Sequence, residues 1–411
     1  MADNDCSKRY DVVCIGGGLG GLAGAVRAHD MGARVLVLER SEMVGGVAAY
    51  SGGWCWVGAN HLVAGDTIDA TEQYLDYVQG EGRPVDRQAR RTYLERAVEA
   101  TRWFVEAGVP LSLVRNAPDL YAPCPGASEE GRLLECSLYG RELGEWRRRL
   151  RPSVYYRTGV KRDEIYHELA SDIAGRLALA DRRAESDFLT HGVGLAGGFA
   201  REALVKRKIE CRLDHRVTQL VWDGSRVTGV IAEGPSGTHQ IGARLGVLIA
   251  TGGYGNASDA AELEDVPEFV EAAPPVVDGD GLALAETVGA AVVRGADPFV
   301  VLGVRFGDEV HPGSDVPLYS QLLESIGFPH SMIVNDRGMR FGDESYYGAL
   351  IRGIRTFDGR SKRWANYPCW LIFDEEYHRR YPVGPYSPGA EYPVEIVRRE
   401  TLGELAIALG V

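Results

Sequence analysis

The apolar and polar positions at the start of the chain follow the pattern of a strand, a helix and a second strand. The apolar run Asp11–Ile15 ends in glycines, and an alanine-rich stretch then leads to a second apolar run, Arg34–Leu38. Short continuous apolar runs that flank a helical segment are typical of strands in a buried parallel sheet. Residues 10–40 therefore predict a β–α–β unit.

Residues 66–190 show helical rather than strand periodicity. Amphipathic segments lie near Glu72–Val78, Arg91–Glu106 and Asp163–Ala178. Apolar positions spaced along one helix face predict helices that pack against a core. We therefore expect a mostly helical insertion in this stretch.

Two later patterns predict further strands. The runs Val217–Trp222 and Arg226–Ala232 flank the dipeptide Asp223-Gly224. An Asp-Gly pair suits a type I′ turn, in which both central residues have positive φ, so these residues predict a β-hairpin. The apolar strand Gly246–Ala250 then runs into another glycine turn.

Composition narrows the classes of function. The chain has 411 residues, of which 45% are hydrophobic, enough for a large core and two domains. Its formal net charge of −13 disfavours nonspecific binding to nucleic acid. The single basic run, Arg147–Arg151, is interpreted as a salt-bridged helix end. No apolar segment is long enough to span a bilayer and the N-terminus is polar, so we expect a cytoplasmic protein.

The cysteines and histidines show no metal-binding or disulfide pattern. Seven cysteines are widely spaced without a C-x-x-C pair, and nine histidines are scattered. We therefore expect neither a disulfide framework nor a metal site, and we interpret Cys14 as a small core residue.

Glycines between the first strand and the helix have the spacing G-x-G-x-x-G. Gly16 would allow a tight turn, Gly18 would let the backbone approach a pyrophosphate, and Gly21 would let helix and strand pack closely. Backbone N–H groups and the helix dipole at residues 18–22 would hold the phosphate charge. The motif indicates a dinucleotide site, with a plain structural loop as the alternative, and it does not separate FAD from NAD.

Glu39 comes directly after the second strand. Dinucleotide-binding folds place a carboxylate about 20 residues beyond the glycine turn, where it binds ribose hydroxyls. Glu39 fits that position and would repel a 2′-phosphate.

A second glycine cluster, Gly45–Gly53, resembles the flavin-contacting loop of the fumarate reductase and 3-ketosteroid dehydrogenase flavoprotein superfamily. Other segments resemble family segments in family order: Val217–Val221, Ile249–Tyr254, Gly279–Ala290 and Met332–Ser345. The resemblance runs from residue 10 to the last residue and implies FAD as the cofactor.

The resemblance also implies an architecture. We expect an α/β fold with a Rossmann-type, glutathione-reductase-like FAD-binding domain at residues 1–277, which carries the helical insertion, and an α+β capping domain at 278–411. Family members with covalent flavin attach it through a histidine near the position of Gly46, and this chain has none there, so we expect noncovalent FAD. The residues expected to contact FAD are Gly16, Gly18, Leu19, Gly20, Gly21, Glu39, Arg40, Gly45, Gly46, Ser51, Gly52, Gly53, Val217, Thr251, Gly252, Gly253 and Asp280.

The candidate catalytic residues rest on the same resemblance. Ketosteroid dehydrogenases use one tyrosine to abstract a proton and another to polarise the carbonyl, while the flavin takes a hydride from the adjacent carbon. Tyr121 lies in a stretch similar to a substrate-side loop of that branch. Tyr347, or its neighbour Tyr346, follows a segment after which the family often places an active-site tyrosine. The arginine of fumarate and succinate enzymes would fall near Gly327, which argues against a dicarboxylate substrate.

Local patterns near the end of the chain predict two further contacts. Arg340 and Glu344 have the (i, i+4) spacing of an ion pair. Thr401 and Glu404 form a capping-box pattern that opens an apolar helix, which Gly410 would end.

Three functions remain open. The first is an FAD-dependent oxidoreductase that desaturates a ketosteroid or similar cyclic ketone and passes electrons to an unidentified acceptor, which the tyrosines favour. The second is the reverse chemistry, an FAD-dependent reductase of an α,β-unsaturated acid or enone. The third is a truncated flavin-binding module without turnover. Family members continue to a last glycine-rich flavin-contacting segment that this sequence lacks, so we expect a fragment or a shortened homologue.

Overall fold

The computed structural model describes residues 9–79, 86–121, 123–169, 172–293, 301–323, 325–345 and 347–411, without the side chains of residues 173 and 347–349. The chain folds into two compact units. The first unit comprises residues up to Gly253 together with Gly279–Val292, and the second comprises Tyr254–Asp278 together with the residues from Val293 onward.

A six-stranded sheet forms the centre of the first unit. Its strands are β1 (Tyr10–Ile15), β2 (Val35–Leu38), β8 (Glu210–Arg212), β9 (Arg216–Trp222), β10 (Val227–Gly234) and β11 (Gly237–Ile249). Their order across the sheet is β8-β2-β1-β11-β10-β9. β1 pairs in parallel with β2 and β11, and β2 pairs in parallel with β8. The first four predicted strands are thus confirmed as β1, β2, β9 and β10. Cys14 is fully buried in β1, as expected.

β11 begins at Gly237, well before the predicted start at Gly246. Its first half pairs antiparallel with β10, with Gly237 opposite Gly234. Its second half pairs in parallel with β1, with Ile249 opposite Ile15. The first half carries several exposed polar residues, and this is why hydrophobicity alone does not reveal it.

The hairpin between β9 and β10 is confirmed, but the predicted type I′ turn is wrong. Only Gly224 of the Asp-Gly pair has positive φ, at 100°. Asp223 instead uses its side chain, and its Oδ1 accepts hydrogen bonds from the backbone N–H groups of Ser225 and Arg226, both at 2.9 Å. An aspartate that caps its own loop replaces the turn chemistry that the dipeptide suggests.

One helix, α1 (Leu19–Asp30), packs on the sheet of the first unit, and a second, α6 (His191–Ala200), packs against α1. α1 buries Leu22, Ala25 and Val26. α6, which continues into a π-helix at Arg201–Lys206, is buried along its whole length. Sequence periodicity missed α6, because a helix that is apolar all round and rich in glycine has neither an amphipathic pattern nor high helix propensity.

The stretch from residue 54 to residue 190 contains small sheets as well as helices. Its elements are β3 (Cys55–Trp56), α2 (Ile68–Gln79), α3 (Arg87–Glu106), β4 (Leu111–Leu113), β5 (Leu133–Cys136), β6 (Leu138–Tyr139), a 3₁₀ helix (Gly140–Arg149), α4 (Arg162–Tyr166), α5 (Ile173–Ala184) and β7 (Phe188–Leu189). The segment Asp163–Ala178 is therefore two helices and not one. The second begins at Ile173. The residue before it, Asp172, is the N-cap, and its side chain accepts a hydrogen bond from the N–H of Gly175.

The basic run forms the end of the 3₁₀ helix. Arg147 pairs with Asp187, with Nε 2.6 Å from Oδ2, as expected for a salt-bridged helix end. Arg151 differs, because it is buried and its Nη2 donates to Ser41 Oγ at 2.9 Å.

α8 (Asp280–Glu286) returns to the first unit, and the second unit consists of short elements. These are α7 (Ala260–Glu264), β12 (Gly303–Val304), β13 (Ser320–Gln321), β14 (Ser331–Asn335), α9 (Tyr347–Ile354), β15 (Phe357–Asp358), β16 (Arg363–Trp364), β17 (Cys369–Phe373), α10 (Glu375–Arg380) and α11 (Leu402–Leu409). β14 pairs antiparallel with β17. The predicted start of α11 is confirmed, since Thr401 Oγ1 accepts from the N–H of Glu404 at 3.2 Å.

Three absences hold for the described parts of the chain. None of their helices has both the length and the apolar character that a membrane crossing requires. No group of their histidines, cysteines and acids could hold a metal ion. The cysteines in these parts are free thiols.

The predicted pair of Arg340 and Glu344 is confirmed. Arg340 Nε lies 2.8 Å from Glu344 Oε1, which also accepts from the backbone N–H of Ile333 at 3.1 Å. Burial raises the pKa of Glu344, but the hydrogen bonds from these two partners outweigh it and hold the pKa below its usual range. The pair ties β14 to the segment that follows it.

We expect Glu344→Gln to lower the free energy of unfolding by about 1 kcal/mol at neutral pH, because it removes a charge-assisted hydrogen bond. A carboxyl with a depressed pKa stabilises the fold above its unfolded-state pKa and loses this effect as pH falls through the folded-state pKa. Urea denaturation should therefore show a difference at neutral pH that shrinks at acidic pH. Asp308→Asn, which removes a fully exposed acid, is the control and should not change the transition. Equal stability of Glu344→Gln and the parent at neutral pH would contradict the assigned role.

Candidate functional site: a dinucleotide cradle in the first unit

The turn after β1 has no room for side chains. Gly16 has φ 109°, and a Cβ there would lie 2.3 Å from the carbonyl oxygen of Ala250 at the end of β11. A Cβ on Gly21 would lie 1.9 Å from the carbonyl oxygen of Gly16. Both distances are far below any real contact, so strand and helix meet here backbone to backbone. This arrangement points the start of α1 towards the ends of the parallel strands.

The N-terminus of α1 is open to an anion. Its N-cap is Gly18, no side chain caps it, and its first turn contains no acidic residue. A Cβ on Gly18 would meet only Gly46 Cα, at 3.8 Å, and Gly20 is exposed. The free N–H groups of a first helical turn, together with the helix dipole, bind phosphate well. Leu19, the first residue of the helix, lies at the same end.

The second glycine cluster contacts the first. The N–H of Gly45 donates to the carbonyl oxygen of Gly17 at 2.9 Å. A Cβ on Gly46 would lie 3.1 Å from Gly18 Cα. The structure therefore brings together two glycine segments that the sequence assigned to the cofactor on separate grounds.

The end of the second glycine cluster lies on the start of α6. Ser51 Oγ accepts from the N–H of Gly53 at 3.1 Å, and the Ser51 carbonyl oxygen accepts from the N–H of Gly192 at 3.1 Å. Gly53 has φ 75°, and a Cβ there would lie 2.0 Å from the carbonyl carbon of His191. A Cβ on Gly52 would lie 3.1 Å from the Trp54 ring. The buried helix thus fixes the path of this loop, called the flavin loop below (Ser51–Gly53).

Glu39 is buried and holds the glycine turn. Its Oε2 accepts from the N–H of Gly17 at 2.7 Å, and its Oε1 accepts from the N–H and the hydroxyl of Ser41, both at 2.9 Å. A carboxylate oxygen has two lone pairs. Oε1 uses both of them, and Oε2 keeps one that could accept from a ribose hydroxyl. The ribose contact of Glu39 stays a prediction.

Charged residues surround the start of α8. Asp280 Oδ2 accepts from Arg40 Nη1 at 3.0 Å and from Arg216 Nε at 2.9 Å. Arg216 Nη2 also donates to Asp280 Oδ1 at 2.6 Å. Two guanidinium groups therefore share one carboxylate in this part of the first unit. No sequence pattern pointed to Arg216, because an arginine at the start of a strand is an ordinary surface residue.

The turn after β11 packs against the same helix. The N–H of Gly279 donates to the Gly253 carbonyl oxygen at 3.2 Å, and a Cβ on Gly281 would lie 2.1 Å from Thr251 Oγ1. Gly252, between Thr251 and Gly253, has φ 86°. Val217 is buried in β9, the neighbouring hairpin. Every residue predicted to contact the cofactor therefore lies in the first unit.

Comparison with known sequences identifies the family. The sequence model described as the FAD binding domain matches residues 11–387. The chain belongs to the FAD binding domain family. It is an FAD-binding oxidoreductase, and the resemblance to the ketosteroid dehydrogenase branch is confirmed.

Three relatives place this flavoprotein more closely. It is 31% identical over 421 residues to a 4-oxocyclohexanecarboxylate 2-dehydrogenase of Sinomonas cyclohexanicum, covering 98% of this chain and 71% of the relative. It is 28% identical over 444 residues to a 3-oxosteroid 1-dehydrogenase of Mycobacterium tuberculosis, covering 98% of this chain and 76% of the relative. The crystal structure of the 3-ketosteroid Δ1-dehydrogenase of Sterolibacterium denitrificans with 1,4-androstadiene-3,17-dione matches with a TM-score of 0.79 at 28% identity, covering 98% of this chain and 76% of that one.

The structure describes only part of the proposed catalytic set of this flavoprotein. Tyr121 lies in a partly buried loop of the first unit, where its carbonyl oxygen accepts from the N–H of Cys124 at 2.9 Å. Tyr346 lies outside the described residues. Tyr347 begins α9 in the second unit, and its side chain is also outside the described part. The roles of all three tyrosines stay predictions.

A buried ion cluster that the sequence did not reveal anchors the Tyr121 loop. Arg132, only 1% exposed, donates through Nη2 to Asp66 Oδ1 at 2.7 Å and pairs through Nη1 with Asp119. Arg132 Nη2 also donates to the carbonyl oxygen of Gly126 at 2.8 Å. Asp119 in turn accepts from Trp56 Nε1 at 2.8 Å, just after the flavin loop. The loop is thus hydrogen-bonded both before and after Tyr121.

We expect Gly21→Ala to abolish FAD binding, or to weaken it more than about 100-fold, because the new Cβ would displace α1 from the turn after β1. Gly246→Ala is the matched control, since a Cβ there meets nothing within 4 Å and the residue lies outside the cradle. The flavin absorbance of the purified protein and titration of the apoprotein with FAD measure the difference. A Gly21→Ala protein that binds FAD as tightly as the control would show that the cofactor does not depend on this close packing.

Proposed function

We propose that this protein dehydrogenates a cyclic ketone, removing two hydrogens from adjacent carbons next to the oxo group. The observation that carries the proposal is the glycine cradle of an FAD enzyme in a chain similar, over 98% of its length, to dehydrogenases of 4-oxocyclohexanecarboxylate and 3-oxosteroids. When bound, FAD supplies the hydride acceptor for such a reaction. The substrate is therefore a small ring ketone or a steroid, and an external electron acceptor completes the cycle.

The chain's own residues fit the cofactor. The uncapped N-terminus of α1 would bind the pyrophosphate next to Gly18 and Gly46, and Glu39 would bind the ribose. The flavin loop would contact the flavin ring. No histidine occurs between His29 and His61, so the position near Gly46 offers no point of covalent attachment and supports noncovalent binding.

Two tyrosines would carry out the proton chemistry. One removes the proton next to the carbonyl, and the other donates a hydrogen bond to the carbonyl oxygen, which stabilises the charge that develops there. We assign Tyr121 to one of these roles and Tyr347, or Tyr346, to the other. A phenol with an ordinary pKa of about 10 needs a neighbour that stabilises its anion if it is to act as a base at neutral pH.

A dicarboxylate substrate is disfavoured by the second unit. Gly327 occupies the position near which fumarate and succinate enzymes carry their arginine, and it has φ 79°. A Cβ there would lie 2.8 Å from the carbonyl oxygen of Glu344. A long side chain therefore cannot replace this glycine without moving the backbone, and this supports dehydrogenation of a ketone over fumarate-type reduction.

We expect 4-oxocyclohexanecarboxylate or a 3-ketosteroid to bleach the flavin band of the purified protein under anaerobic conditions. Tyr121→Phe should slow this reduction by a factor of about 100 or more without loss of bound flavin, because it removes an acid–base group and keeps the ring. Tyr93→Phe, at an exposed tyrosine of α3, is the control. Stopped-flow absorbance measures the rates.

The outcomes of this experiment separate the alternatives. A flavin band that persists with every ketone but returns to the oxidised form when an enone is added to the reduced protein would indicate the reductase. Bound FAD with no reaction in either direction would indicate a flavin-binding module. If the flavin of Tyr121→Phe is reduced at the parent rate, the role assigned to Tyr121 is wrong, but the proposed reaction is not affected.

A further inference from the structure

Aromatic and basic side chains form a cluster beside the flavin loop, within the first unit. The Tyr156 ring lies 6.4 Å from the Trp54 ring and 5.6 Å from the His191 ring, between centroids. Arg162 Cζ lies 4.0 Å from the centre of the Trp54 ring. Trp54 follows Gly53 directly, and the backbone of His191 contacts the same glycine. These four residues are called the basic cluster below.

The acids near Arg162 do not pair with its guanidinium. Glu135 accepts from the backbone N–H of Arg162 at 2.8 Å. Asp163 pairs with Arg115, and Glu164 pairs with Arg183 at 2.7 Å. Within the described residues, no carboxylate lies within ion-pair distance of the Arg162 guanidinium, whereas most partly buried arginines of this chain have one. Arg162 therefore brings a guanidinium without an ion-pair partner next to the flavin loop.

The basic cluster also contains buried nitrogen atoms without hydrogen-bond partners. These are Trp54 Nε1, Arg162 Nε and His191 Nδ1. The first two are N–H donors, and leaving a buried donor unsatisfied is costly. Native proteins rarely leave such donors unpaired, and two within one cluster call for an acceptor that comes from outside the chain.

Arg162 is the charged member of the cluster. Burial lowers the pKa of His191 to about 4, and the charge of Arg162 adds to this effect, so His191 is neutral at physiological pH. His191 also has φ 54°, a strained conformation for a residue other than glycine. Such strain is often kept at functional sites, where the surrounding contacts hold it.

We propose that the basic cluster binds a carboxylate group of the substrate, with Arg162 as the cation and Trp54 Nε1 as a second donor. The inference rests on the proposed function, because it selects an acidic ring ketone over a neutral steroid as substrate. The cofactor's phosphates have their own site at the N-terminus of α1. Guanidinium groups bind carboxylates through parallel N–H donors, and this matches the unpaired donor of Arg162.

The test compares an acid with a neutral ring of similar size in the FAD-loaded protein. Calorimetry measures binding of cyclohexanecarboxylate, which lacks a ketone, and of cyclohexanone. Stopped-flow reduction measures kcat/KM for 4-oxocyclohexanecarboxylate and for cyclohexanone. We expect Arg162→Gln to weaken both measures for the acids by about 10- to 100-fold and to leave those for cyclohexanone unchanged. Arg162→Lys should keep part of the preference for acids.

Two further variants make the result decisive. Arg157→Gln removes a nearby charge that pairs with exposed Asp181, and it should not alter the preference. Trp54→Phe keeps an aromatic ring but removes the indole N–H donor. It should weaken the binding of the acids by about 5-fold and leave the binding of cyclohexanone unchanged. If Arg162→Gln fails to retain FAD, the Trp54→Phe result decides.

The outcomes distinguish this inference from the proposed function. A parent protein that oxidises cyclohexanone and the acid with equal kcat/KM keeps the proposed function but overturns the carboxylate site. The carboxylate site is also overturned if Arg162→Gln loses equal factors in kcat/KM and binding for the acids and for cyclohexanone. A parent protein that oxidises no ketone contradicts the proposed function, and a loss of cyclohexanecarboxylate binding in Arg162→Gln would still support the carboxylate site.

Discussion

The first unit depends on one steric constraint, the direct contact of backbones where β1, β11 and α1 meet. Gly16 and Gly21 leave no space for a Cβ against Ala250 and against each other. This contact places the α1 N-terminus at the carboxyl ends of parallel strands, where open α/β sheets bind ligands. The second glycine cluster lies against this turn. The N–H of Gly45 donates to the Gly17 carbonyl oxygen, and a Cβ on Gly46 would lie only 3.1 Å from Gly18 Cα. The N–H groups at the start of α1 are left open, and this is where we propose that the phosphates bind.

Charge in the first unit is arranged around this backbone site. Although the chain has a net charge of −13, Arg40 and Arg216 share Asp280, and the Arg162 guanidinium has no ion-pair partner among the described residues. Buried acids hold the backbone instead, as Glu39 holds Gly17 and Asp119 holds the loop of Tyr121. A buried carboxylate is tolerable because N–H donors or a guanidinium surround it. The acids therefore keep the loops in place, and the Arg162 guanidinium is left for the proposed anionic ligand.

The sequence predicted those parts of the fold that local patterns encode. The strand runs, the turn at Gly16 and the start of α11 at Thr401 depend on neighbours along the chain, and they were found. α6 was missed because its burial depends on contacts across the whole unit, and the first half of β11 because pairing with β10, not hydrophobicity, makes it a strand. Arg132 and Arg162 gave no signal for the same reason. Their partners, or the lack of them, appear only once distant segments fold together.

The flavin loop connects cofactor binding with the proposed recognition of the substrate. One side of it continues from the glycines that contact the α1 turn, and the other side lies on His191 at the start of α6. A Cβ on Gly53 would lie 2.0 Å from the carbonyl carbon of His191, so the two backbones are in direct contact here, and His191 itself has the strained φ of 54°. A change in the basic cluster would therefore act on the loop that is expected to contact the flavin ring. This coupling gives a physical reason for a neutral imidazole at this point, because a second buried charge beside Arg162 would repel it and strain the loop.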